Sequence, residues 1–184
     1  MKTKLFFLAT LTIALVACNE PIGETALIEG GWELCTWTSD KTVYADQSGN
    51  THYKDEPYTR EYGNKEQVWL FYGACISQWC QYTNDGEKDW SGYDDDAEHA
   101  YVVEGEGDHM YIIETTTSII PGMEGHSTVT RYHVEKLTKS QMVLTTTRLM
   151  YVSDLETTVE VFMTYTFKRE NTLLDWLLKY TNCF

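Results

Sequence analysis

Positive charge is scarce in this sequence: 14 Lys and Arg stand against 28 Asp and Glu, giving a net charge of −14 at pH 7. So acidic a chain repels phosphate backbones and anionic headgroups, because binding either takes basic residues that displace counterions. Nucleic acid is therefore not an expected partner, and solubility with self-repulsion accounts for the charge without any acidic-site chemistry. A run long enough to cross a bilayer is also missing. The apolar stretch 5–16 carries no charge, but a membrane-spanning helix needs roughly 20 such residues. Long helical periodicities, repeats, linkers and a second domain are absent. So are the G-x-S-x-G elbow, the H-E-x-x-H pair and a glycine loop able to cradle phosphate. His52, His99, His109, His126 and His133 are scattered, with no pair at ligand spacing. The expectation is a non-enzymatic protein with no cofactor and no metal.

Two acidic clusters look like sites on paper. Glu104, Glu106, Asp108 and His109 are interleaved with Gly105 and Gly107, which places them in a hairpin turn where charges are solvated. The run Tyr93-Asp94-Asp95-Asp96-Ala97-Glu98-His99 offers carboxylates to calcium but lacks the spacing of a calcium loop, and it reads as a solvated acidic loop.

What is present begins at the N-terminus. Lys2 and Lys4 precede the apolar run, which ends in Leu15-Val16-Ala17-Cys18. This is the layout of a secretory signal, and its last four residues resemble the lipobox of bacterial lipoproteins. The resemblance implies cleavage before Cys18 and attachment of diacylglycerol to its thiol. Residues 1–17 are read as a signal peptide, 18–29 as a lipidated tether and 30–184 as one domain. Removal of residues 1–17 leaves 167 of the 184 residues, enough for a full-sized core, and takes away two lysines, so the net charge falls from −14 to −16. The expected location is the cell envelope, lipid-anchored to the outer membrane on its periplasmic or outer face. The expected partners are the membrane, through the lipid, and other cell-envelope proteins.

Four cysteines remain, Cys35, Cys75, Cys80 and Cys183, and in an exported chain they are disulfide candidates with three possible connectivities. Zinc would want a second close pair beside Cys75-x4-Cys80, and there is none. If 75–80 is one extended segment its ends lie roughly 16 Å apart by strand rise, beyond the ~7 Å Cα limit of a disulfide. Those two would need separate partners.

Strand patterns dominate the rest. The segments 32–37, 67–72 (QVWLFY), 74–82, 100–104, 109–117, 128–137, 141–150 and 157–169 (TTVEVFMTYTFKR) give eight strands by apolar alternation and β-branched or aromatic content, punctuated by turn residues. Their connections alternate in length: long at 40–66, short near Gly73, long at 83–99, short at 105–108, moderate at 118–127, short at 138–140 and moderate at 151–156. In an up-and-down meander successive turns fall at opposite ends. The long loops then gather as a mouth, the tight turns close the other end, and closure removes the exposed edges. An all-β, eight-stranded antiparallel barrel is expected, followed by a short helix that starts near Asn171, carries Leu173, Leu174, Trp176, Leu177 and Leu178, and packs on the barrel wall. Asp175 and Lys179 form an i,i+4 pair on its polar face.

With the strands placed, Gly30-Gly31-Trp32 at the start of the first strand is similar to the G-x-W signature of lipocalins, and Arg169 at the end of the eighth matches the arginine that packs over that tryptophan. The hairpin Tyr132-His133-Val134-Glu135-Lys136-Leu137-Thr138 to Met142-Val143-Leu144 resembles lipocalin-like domains of lipoproteins from Bacteroides-type bacteria. The likeness covers roughly 28–170 and implies a calycin barrel closed by Gly30, Trp32 and Arg169, with a small-molecule carrier as its function.

The ligand is sought among the aromatics, of which there are 6 Trp, 13 Tyr and 6 Phe. On the last strand Val159, Val161, Met163, Tyr165 and Phe167 share a face taken as inward, opposite Glu160 and Lys168. Tyr132 and Val134, and Leu144 and Thr146, are the expected facing sets. Tyr44, Tyr53, Tyr58, Tyr62, Trp90 and Tyr93 enrich the mouth loops. Aromatic rims with polar tips suit amphipathic molecules or sugars, and equally suit loops folded down as a lid. The expected ligand-binding set is Tyr53, Tyr58, Trp90, Tyr93, Tyr132, Leu144, Met163 and Tyr165, for a small apolar, aromatic or glycan-derived molecule. The alternative is an accessory lipoprotein whose barrel is filled by its own side chains.

Overall fold

A computed structural model of the protein describes residues 24–92 and 97–181. Cys18 with the lipobox, Tyr93 with the three aspartates after it, and Cys183 lie outside the described residues. The chain forms a closed barrel of eight antiparallel strands, in up-and-down order, with one short helix after it. The eight are β1 (Gly30–Ser39), β5 (Val68–Tyr72), β6 (Cys75–Asn84), β8 (Ala97–Glu104), β9 (Tyr111–Ser118), β10 (Ser127–Leu137), β11 (Gln141–Val152) and β12 (Thr157–Glu170), and β12 pairs with β1 to close the ring.

The long connections are not simple loops. Residues 40–66 fold into a two-stranded hairpin of β2 (Thr42–Ala45) and β3 (Thr51–Lys54), followed by β4 (Tyr58–Glu61). β4 pairs with the upper part of β1, as β5 does with the lower part, so the two act as one wall strand broken by an outward excursion at 62–67. In the same way β7 (Glu87–Gly92) pairs with the upper part of β6, whereas β8 meets β6 only at Cys75 and Ala100. The expected mouth loops therefore carry the wall higher on that side. YTRE satisfies its backbone groups by extending an existing edge, whereas TVYA and THYK pair with each other as a separate two-stranded sheet held to the barrel through Thr51 and Ser153.

Alternation decides what enters the barrel. On β12, Val161, Met163, Tyr165 and Phe167 are buried while Glu160, Phe162 and Lys168 are exposed. Tyr132, Val134, Leu144 and Thr146 are buried as expected. The closed end is solid: Trp32, Phe71, Ile112, Met142, Leu144 and Phe167 are all 0% exposed. β5 is buried on both faces, because Trp69 and Phe71 point inward while Val68 and Leu70 pack outward with Trp90 and Leu173 of the helix Thr172–Thr181. A strand covered on both sides reads as a continuous apolar run, which is the form of QVWLFY. The helix is capped by the Glu170 carboxylate, which accepts from the backbone N–H groups of Thr172 and Leu173, each at 2.8 Å. This supplies the N-terminal acceptor expected of Asn171.

Trp32 and Arg169 are register partners across β1 and β12, and the guanidinium carbon lies 4.6 Å from the indole centroid. The indole N–H donates to Ile28 O at 2.7 Å, and Arg169 Nη1 donates to Leu27 O at 3.0 Å, so the segment before β1 is tied across the closed end. The two glycines have separate reasons. Gly30 sits at φ +113° under the Arg169 guanidinium, and a Cβ on Gly31 would lie 2.5 Å from Glu170 O. A side chain at Gly30 would be strained and press on the Arg169 guanidinium, and one at Gly31 would meet the β12 backbone.

Cys35, Cys75 and Cys80 are free thiols, and Cys183, the fourth disulfide candidate, lies outside the described residues. Cys75 and Cys80 stand on the single strand β6, five positions apart and so on opposite faces. Cys35 occupies the β-bulge of β1, its thiol directed to Glu33 O, and burial pushes its pKa up.

Candidate ligand cavity

Above the packed closed end the barrel is hollow. A cavity of about 460 Å³ has Trp69, Leu34, Tyr132 and Tyr165 around its lower part, Trp37 and Tyr62 on one wall, and Thr116, Thr128 and Thr130 toward the mouth. Sequence irregularities shape it. The bulge between Leu34 and Thr36 shifts the phase of β1, so that Leu34 and Trp37, three positions apart, both face inward. The excursion between β4 and β5 places Tyr62 against the space, its own N–H donating to Cys35 O at 2.9 Å.

One wall is polar and fully connected. Arg148 Nη2 donates to the Tyr132 hydroxyl at 3.1 Å, that hydroxyl donates to Glu114 Oε2 at 2.9 Å, and the other Glu114 oxygen lies 2.8 Å from His99 Nδ1. A carboxylate only accepts, so Nδ1 carries a proton. Thr116 Oγ1 stands 3.2 Å from the same nitrogen. Burial, reinforced by the Glu114 carboxylate, holds the Tyr132 hydroxyl far above the ordinary phenol range and therefore as a donor. Burial likewise raises Tyr165, whose hydroxyl donates to Met163 Sδ at 3.5 Å. Glu114 is 5% exposed. Arg148 reaches the network along the inner face of β11, where it is exposed above Thr146.

Among the described residues, two donors on the cavity wall make no hydrogen bond: Nε1 of Trp69 and Nε1 of Trp37, both fully shielded from solvent. For Trp37 the Tyr165 hydroxyl is a loose electrostatic neighbour. Trp69 has no such neighbour and is ringed by Phe167, Tyr165 and Tyr132, with centroids at 5.1, 5.6 and 6.0 Å. An unsatisfied buried donor costs about 1–3 kcal/mol. An acceptor delivered by a ligand recovers that cost.

No family model, curated protein or solved structure matches the chain.

Of the expected ligand-binding residues, Tyr132 and Tyr165 line the cavity. Leu144 and Met163 are packed into the core rather than its lining. Tyr58 meets Trp37 edge-on at 5.5 Å in a separate crevice of about 240 Å³ below the β2–β3 hairpin, and Tyr53, on that hairpin, donates to Asp55. Trp90, expected at the mouth, lies on the outer wall instead, 6% exposed against Val68, Leu70 and Leu173 with Lys65 Nζ 5.5 Å from its ring. As part of β7 it follows the pleat, and its outward register meets the helix.

Tyr62, expected among the mouth aromatics, lines the cavity, and the residues not anticipated as a site are Trp37, Trp69, His99, Glu114 and Arg148. A signal existed for three. Glu114 falls on the inward register between Ile112 and Thr116, Arg148 continues Met142, Leu144 and Thr146, and His99 precedes Tyr101 and Val103. A charge on an inward register is costly without a partner. Such residues mark a network.

A second cleft, about 620 Å³, opens on the wall where β6 and β8 part. Gln78 and His99 line both spaces, and Gly92 and Ala97 line the second. The acidic turn Glu104 to His109 is exposed. Among the described residues no three His, Cys, Asp or Glu groups could hold a metal ion, and no helix is long and apolar enough to cross a membrane.

Proposed function

We propose that the chain is a lipid-anchored, extracytoplasmic barrel of lipocalin-like type that binds one small molecule in its hollow half and performs no chemistry on it. The observation that carries the reading is the cavity of about 460 Å³ with aromatic walls and a buried, unpartnered Trp69 N–H. Ligand sites are typically concave and of this order, with apolar walls and a few fixed polar groups. The connected wall from Arg148 to His99 supports binding rather than turnover. Both Glu114 oxygens are already engaged, so the carboxylate is held as a structural anchor. The membrane connection rests on Cys18 behind its signal, and the carrier reading draws further support from the Gly30, Trp32 and Arg169 arrangement. The filled-barrel alternative draws only on the packed closed end.

Native mass spectrometry of the mature domain purified from its own cells tests this. The expected result is a discrete added mass that denaturation releases. A bare mass in repeated preparations, together with no displacement of a cavity-probing dye by extracts of those cells, would favour the accessory role.

A further inference from the structure

Granting the cavity as a small-molecule site, its donors and acceptors restrict what it takes. We propose that the ligand is an uncharged, flat ring system carrying a carbonyl-type oxygen, which accepts the Trp69 indole N–H.

Charge comes first. The acid and the base of the wall are already joined, Arg148 through the Tyr132 hydroxyl to one Glu114 oxygen and His99 to the other. A cationic ligand finds no free carboxylate oxygen there. An anionic one approaches a protein of net charge −14, and on leaving water it loses hydration to a wall where Arg148 Nη2 is already on the Tyr132 hydroxyl and His99 on Glu114.

The balance of neutral groups comes second. Both Glu114 oxygens already accept, and so does Gln78 Oε1, from Gln67 Nε2 at 2.7 Å. The buried groups left over are donors, Trp69 Nε1 and, beside the Tyr165 hydroxyl, Trp37 Nε1. A hydrocarbon would leave Trp69 as it is. A carbonyl oxygen on the ligand satisfies it.

Shape comes third. Trp69 is the floor, and the rings of Tyr132 and Tyr165 stand beside it, 5.9 Å from each other in an edge arrangement. Flat rings gain most from such walls by stacked or edge contacts.

Calorimetric titration of the mature domain with three probes of similar size tests the inference: coumarin, a neutral lactone; naphthalene, with no acceptor; and coumarin-3-carboxylate, an anion. Coumarin is expected to bind best. Trp69→Phe keeps a ring but removes the N–H, and should weaken coumarin about tenfold while leaving naphthalene within about twofold. If circular dichroism shows that Trp69→Phe does not fold, Trp37→Phe should show the same selective loss, smaller in size. Tightest binding by the carboxylate, or coumarin affinity unchanged in a folded Trp69→Phe protein, overturns the proposal. Naphthalene binding as well as coumarin would overturn it too, while leaving the cavity a binding site. No binding of any probe, with no co-purifying mass, would remove both readings together.

Discussion

Replacing Glu114 by alanine tests whether the polar wall is a built network or a set of independent side chains. The substitution takes the acceptor from the Tyr132 hydroxyl, in a residue 1% exposed, and from His99 Nδ1. Each stranded donor costs about 1–3 kcal/mol. Arg148 also loses its counter-charge, but it stands partly in solvent and adds little. His99 is near the cavity and can find water more readily than Tyr132, so the sum is about 2–4 kcal/mol. With a urea m-value of about 2 kcal/mol/M, the midpoint should fall by about 1–2 M at unchanged slope. Tyr132→Phe alone should cost about 1 kcal/mol, and the double variant should show coupling of at least ~0.5 kcal/mol. An additive pair, or a Glu114→Ala protein within about 0.5 kcal/mol of the parent, would refute the network.

Three further outcomes are expected. Trp32→Ala should destabilise by about 3–5 kcal/mol, since it empties a fully buried site and frees Arg169, whereas Arg169→Lys should cost only about 1 kcal/mol in thermal or urea unfolding; the reverse order would contradict the closure. The β2–β3 hairpin is latched to the 3-10 turn Ser153–Leu155 by Thr51 with Ser153 and by His52 between Asp46 and Asp154. Hydrogen bonds to those two carboxylates raise His52 above its ordinary 6.5, and the His52 bond draws Asp46 from 3.8 down to about 2. The His52 contribution is complete below pH 6.5 and is lost as pH rises through the raised value; the Asp46 contribution is complete above 3.8 and lost as pH falls toward 2. Amide exchange at Thr51, corrected for intrinsic rate, should therefore be more protected near pH 5.5 than near pH 8.5, and equal protection would refute the latch. Cys18→Ala should abolish incorporation of labelled palmitate, and undiminished labelling would sink the anchor.

The barrel was legible because its information is local and repeated. Period-two burial on 157–169, the alternation of long and short connections, and the pairing of Gly30-Gly31-Trp32 with Arg169 all follow from the pleat and from turn chemistry. The hairpin β2–β3 and the strands β4 and β7 were not legible. Runs of four to six polar-rich residues become strands only when a neighbouring edge is present, and tertiary context decides that. The outward turn of Trp90 depended on the same context. The cavity network was hidden for another reason. His99, Glu114, Tyr132 and Arg148 come one each from β8, β9, β10 and β11, and only the register between strands brings them into line. For the cysteines, composition and compartment say only that thiols tend to pair, while β6 sets Cys75 and Cys80 apart on one strand.

The central claim is that the upper half of the barrel holds a small molecule. A crystal structure of the mature domain purified from its own cells tests it most directly. The account predicts electron density for one flat molecule between Trp69, Tyr132 and Arg148, with an acceptor atom about 3 Å from the Trp69 indole nitrogen. A cavity collapsed by its own side chains, with Trp69 bonded to a protein acceptor in every crystal form, would contradict it.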